Sequence, residues 1–164
     1  MGGRTEKKIL AKNAANIANL LKCAYCDEMR IFHYFSYAGI NMEGIGLVTY
    51  AAALKTRATG ELSLAEPLAD RIAELGDKAP SDPAEWANYS TTGALDPAEH
   101  LTLGTALDRA PKFEGKAVEN CGSMEKQAPA LGDYVTYNLD TAILADEVKD
   151  ERHREDILKS LEVK

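Results

Sequence analysis

Ile17-Ala18-Asn19-Leu20-Leu21-Lys22-Cys23-Ala24-Tyr25-Cys26-Asp27-Glu28-Met29-Arg30-Ile31-Phe32-His33-Tyr34-Phe35 decides how the chain is read. Ile17, Leu20, Leu21, Ala24, Ile31, Phe32 and Phe35 recur in steps of three and four, which places them along one side of a helix. Glu28 is the odd member. It sits four after Ala24 and three before Ile31, so an acid interrupts the face that should turn inward. No proline breaks the segment from Arg4 to about Ala38, and Gly39, Asn41 and Gly44 read as a stop and a turn.

Working outward, the same period returns three times. Leu54, Ala58, Leu62, Ala65, Leu68, Ile72 and Leu75 share a face in a second helix expected over 46–75. Gly60 weakens that helix and Pro67 predicts a kink or break in it. Residues 77–97 carry loop chemistry, with one short helical turn at Pro83-Ala84-Glu85-Trp86. The third helix is expected to open at Asp96-Pro97 and run to about Gln127, with Leu103, Leu107, Ala110, Ala117, Cys121 and Met124 on one face. Pro111 and Gly115 make its middle irregular. A fourth helix is expected from Asp133 to about Leu161, on the stripe Val135, Leu139, Ile143, Leu144, Ile157 and Leu161. Four long helices, two hairpins and a long connection between the second and third make an all-α bundle with a crossover, one domain over 1–164.

Composition bounds the function. With 26 acidic against 19 basic residues the net charge is -7, which disfavours nucleic acid as a partner and suits a protein that handles cations. No apolar run approaches the ~18 residues of a membrane span, and the basic, amphipathic start lacks the pattern of a secretory signal, so a cytoplasmic setting is expected. Three cysteines make no disulfide framework. Cys23 and Cys26 form a C-x-x-C, but no strand precedes it and no second pair completes a zinc site. They read as small helix residues, with a redox pair as the rival.

The other acids repeat the placement of Glu28. Glu61 falls between Ala58 and Ala65, Glu114 between Ala110 and Ala117, and Glu147 follows Ile143 and Leu144. Glu28 and Glu61 lie 33 residues apart, and so do Glu114 and Glu147. Equal spacing within each hairpin fits a pseudo-twofold cluster of carboxylates, one from each helix. In di-metal carboxylate bundles two helices each give one Glu and two give a Glu-x-x-His pair, because positions i and i+3 share a face.

The chain resembles the ferritin-like superfamily, in its bacterioferritin-like and Dps-like branch. The resemblance rests on Asp27 to Phe35, on Glu61-Leu62-Ser63-Leu64 leading into Ala69 to Gly76, and on Val135 to Leu139 with Ile143 to Val148. It implies a ferritin-like four-helix bundle, a di-iron centre and a homo-oligomer. Its metal ligands would fall on Glu28, Glu61, Glu114 and Glu147, with Glu119 a rival to Glu114 about 140° around the helix. The family's histidines would stand at Leu64 and Asp150, and both are replaced; Asp150 can still ligate a hard cation through oxygen. His153, three residues after Asp150, reads as a solvated residue or as a shifted ligand, and His33 and His100 are not expected to ligate. The implied activity is iron binding, with iron oxidation, storage or oxidative-stress protection (an oxidoreductase, if the centre works). The alternative is a degenerate structural subunit that assembles without metal chemistry. Tyr25, Tyr34, Phe35 and Tyr37 read as core or interface, and Trp86 as a lid or interface anchor.

Overall fold

The computed structural model describes residues 10, 12–44, 47–93, 95 and 101–162. Four long helices carry the fold: α1 (Ala14–Asn41), α2 (Leu47–Glu74), α4 (Leu103–Ala130) and α5 (Tyr134–Glu162), with the short α3 (Pro83–Tyr89) between the second and the third. Short connections pair α1 with α2 and α4 with α5 as two hairpins. The segment holding α3 links the hairpins and packs on α1. The expected Asp96-Pro97 helix start and His100 lie outside the described residues.

The helix ends follow local chemistry. Thr102 caps α4: its hydroxyl accepts from the Thr105 amide at 3.2 Å, and the Thr105 hydroxyl accepts from the Thr102 amide at 2.9 Å. Asp133 caps α5 by accepting from the amides of Val135 and Thr136 at 3.1 and 2.9 Å. Gly76, at φ +90°, closes α2 in the left-handed conformation a helix C-terminus favours. Gly39 does not stop α1, which runs two residues further. A Cβ there would lie 2.8 Å from Lys55 Cγ and 3.0 Å from the Ala51 carbonyl oxygen, so the glycine lets α1 and α2 approach closely.

Pro67 does not break α2. Ala65, Leu68 and Ile72 are buried on either side of it, and that packing holds the helix through the missing donor. The fourth stripe also departs from expectation. Val135 is 53% exposed, whereas Thr136, Asp140, Ile143, Glu147 and Arg154 turn inward. The buried face of α5 is therefore mostly polar.

The core has two apolar halves. One gathers Ile31, Tyr34, Phe35, Leu54, Leu107 and Phe113; the other gathers Ile17, Leu21, Leu68, Ile72, Met124 and Ile143. Along α1, Glu28 falls between Ala24 of one half and Ile31 of the other, and along α2, Glu61 falls between Ala58 and Leu68. The acids occupy a polar layer between the two halves.

Candidate metal centre

Glu28, Glu61 and Glu147 come together in that layer, from α1, α2 and α5. One carboxylate oxygen of each lies within 4.8 Å of the other two. All three are buried, and Glu28 is 0% exposed. Neither oxygen of Glu28, nor Glu61 Oε2, nor Glu147 Oε1 accepts a hydrogen bond from an amide, hydroxyl or cation, and the Glu28 and Glu61 carboxyls are close enough to share a proton. Burial pushes the Glu28 carboxyl well above its ordinary range, and the neighbouring charges of Glu147 and Glu61 add to the shift. Glu147 is pushed up to about 8 by burial and by the charge of Glu61, and burial raises Glu61 against the opposing pull of Arg57. Three buried carboxylates converging in one layer suit one hard cation.

Glu114 and Asp150 stand beside these three but face guanidinium groups. Arg57, one turn before Glu61, reaches four carboxylates. Its Nε lies 2.7 Å from Glu61 Oε1, its Nη2 lies 3.2 Å from Glu114 Oε1 and 3.9 Å from Glu147 Oε2, and its Nη1 contacts Asp150. Arg154 contacts the other oxygen of Glu114. Glu114 is thus inward, as the spacing predicts, but is shared between two cations the sequence reading passed over. Its rival Glu119 is exposed and paired with Lys116 at 2.6 Å. Asp150 is 39% exposed. Leu64 packs against the second apolar half and offers no ligand. His153 is exposed and lines a cavity of about 480 Å³ whose wall also holds Phe35, Tyr50, Arg57, Glu114, Asp150 and Arg154. This cavity reaches the layer from the arginine side.

Two further buried acids escaped the sequence reading. Asp27, next to Glu28, fastens the crossover: its carboxylate accepts from Ser90 Oγ at 2.6 Å, from the Thr91 amide and hydroxyl at 2.6 and 2.7 Å, from the Thr92 amide at 3.2 Å and from Asn120 Nδ2 at 3.1 Å. The Ser-Thr-Thr run of the connection was its only signal. Asp140 faces no cation, and burial pushes it up to about 7 against the opposing pull of the Cys121 thiol. The spacing of Asp133, Thr136, Asp140, Ile143 and Glu147 carried it, hidden by the apolar stripe chosen instead.

The surroundings of the thiols do not favour a reactive thiolate. Cys23, Cys26 and Cys121 are free. Burial, then Asp27, push Cys26 up to about 12 and raise Cys23, the reverse of an activated thiolate. Tyr34, Phe35 and Phe113 make edge-to-face contacts in the core, with centroids 4.6 to 6.1 Å apart. Trp86 is half-buried and donates to the Pro80 carbonyl at 3.1 Å, within the crossover itself.

The fold has solved counterparts. A dodecameric thioferritin, the bacterioferritin-related protein of Bacteroides fragilis, superposes with a TM-score of 0.87 at 21% identity, over 97% of this chain and 95% of that one. Antigen TpF1 of Treponema pallidum gives 0.82 at 22% identity, over 91% and 95% of the two chains. The Dps protein of Vibrio cholerae O1, described as one of the ferritin-like diiron-carboxylate proteins, gives 0.82 at 13% identity over 88% and 90%. No curated protein matches the sequence. The Ferritin family model, described as a ferritin-like domain, matches residues 18–163, and the chain belongs to that family.

Proposed function

We propose that the chain is one ferritin-like domain that binds iron between its helices, within a homo-oligomer, in iron storage or protection from oxidative stress. The observation that carries this reading is the Glu28 carboxylate, fully buried, with no cation or hydroxyl to answer it and facing only the carboxyls of Glu61 and Glu147. An unpaired buried acid is costly, and a cation supplies what the protein around it does not. Iron enters here as cargo or substrate; Glu28, Glu61 and Glu147 are the residues that would hold it, while Glu114 and Asp150 border the site. The diiron-carboxylate description of the Vibrio cholerae Dps protein supports the iron part, and the dodecameric state of the Bacteroides fragilis relative supports the oligomeric part. Among the described residues no helix is long and apolar enough to cross a membrane, and a cytoplasmic setting is part of the proposal.

Iron(II) consumption in air tests it. The metal-free protein should speed oxidation above buffer and retain iron, and Glu28→Gln should lose both. Equal rates with and without protein, and no retained iron, would sink the reading. A structural subunit that assembles without metal is favoured by one observation: Arg57 and Arg154 already neutralise Glu114 and Asp150. Sizing after chelator treatment separates the two readings, since the structural subunit keeps its assembly and shows no iron chemistry.

A further inference from the structure

Resting on the proposed metal site, we infer that Arg57, backed by Arg154, is a resident counter-cation that stands where a dinuclear centre would hold its second ion, so that the chain takes one metal per subunit.

A second ion would need carboxylates of its own. It would sit among Glu61, Glu114, Glu147 and the position three residues after Glu147, which is Asp150. The Arg57 guanidinium touches all four of those side chains. A planar, permanently charged fork with five donors can face several carboxylates at once, which a bound metal would otherwise do. It cannot give up its charge to make room, because arginine does not deprotonate in proteins. The position is also built: the aliphatic stem leaves α2 one turn before Glu61, and the guanidinium lies 5.6 Å from the centre of the Phe35 ring.

Charge balance points the same way. Two guanidiniums answer Glu114, Asp150 and one oxygen of Glu61, which leaves Glu28, Glu147 and the second oxygen of Glu61 for the incoming ion. A second divalent ion beside Arg57 would put two strong positive charges within one carboxylate layer of low polarity. The residues present therefore fit a single cation and do not fit a pair.

Cobalt(II), and iron(II) without oxygen, are the probes, counted per chain by metal analysis after dialysis. Ions still bound to a Glu28→Gln/Glu61→Gln double variant are subtracted as external. The wild type should hold one ion in the site. Arg57→Gln should hold two, its metal-free form melting below the wild type and recovering with cobalt, and Arg57→Lys should return to one. Two ions in the wild type, or one in Arg57→Gln, would overturn the inference while leaving the metal site standing. No ion lost between the wild type and the double variant would overturn the metal reading itself. Should Arg57→Gln fail to fold, the wild-type count decides alone.

Discussion

At the scale of single residues, the buried acids divide by what answers their charge. Asp27 is answered by hydroxyls and amides of the crossover, Asp133 by Arg71 at 2.9 Å, and Glu114 by two arginines. Asp140 is answered by no cation, only by the weak Cys121 thiol and backbone near Glu125. Burial pushes its carboxyl up to about 7, above the ordinary carboxylate range, so the folded state keeps a proton that the unfolded chain releases. The stability this gives is complete below about pH 4 and is lost as pH rises through about 7. Asp140→Asn removes the titration. Denaturant unfolding should show it more stable than the wild type at pH 8, by on the order of 2 kcal/mol, with the gap closing toward pH 5. A gap that stays constant across that range would show that Asp140 does not titrate there. Asp27→Ala acts in the other direction. It strands the donors at Ser90, Thr91, Thr92 and Asn120, and should cost on the order of 3 kcal/mol. The Thr91 and Thr92 amides should lose protection from hydrogen exchange before the bundle does. Of these residues Glu28 was legible, because an acid on an apolar stripe declares itself. Asp27 was not, since its partners lie 63 to 93 positions away and no local pattern records them.

At the scale of elements, the two glycines of the first hairpin make opposite predictions. Gly39 sits where α1 meets α2, and an added methyl group presses on the Ala51 carbonyl oxygen at 3.0 Å. Gly60 has open space around its Cβ direction and lies exposed in the middle of α2. Gly39→Ala should destabilise by about 1 kcal/mol, the clash outweighing the gain in helix propensity. Gly60→Ala should stabilise by up to ~1 kcal/mol, because only propensity changes. Thermal melts of both variants at one pH check the pair, and equal signs would contradict this account of the hairpin contact. The existence and order of the helices were readable because α1, α2 and α4 bury continuous stripes of leucine, isoleucine and alanine. The inner face of α5 was misread because it is polar. Thr136, Asp140, Glu147 and Arg154 lie on it at helical spacing, and a search for apolar residues passes over such a face. Arg57 escaped for a related reason. A cation one turn from a glutamate looks like an ordinary surface pair until two other helices, α4 and α5, supply its further carboxylates.

At the scale of the whole molecule, a layer of acids divides the core in two, and the bundle's stability should depend on what fills that layer. Without metal, burial keeps protons on Glu28 and Glu147, the latter titrating near 8. A cation that binds the folded form must displace those protons, so binding releases them and tightens as pH rises toward 8. The folded state alone presents Glu28, Glu61 and Glu147 within 4.8 Å of one another, so metal binding should raise the melting temperature by mass action. At a free concentration one hundred times the dissociation constant the gain is about 2.7 kcal/mol. Melts with cobalt(II) at pH 6 and pH 8 provide the check. At fixed cobalt the rise should be larger at pH 8, and proton uptake or release measured by titration calorimetry in two buffers should report release. A cobalt-induced rise that is the same at both pH values would mean that the ion binds groups already ionised, such as the exposed acids of the surface. A rise confined to the higher pH ties the ion to the buried layer, because only carboxylates withdrawn from water hold their protons so far above the ordinary range.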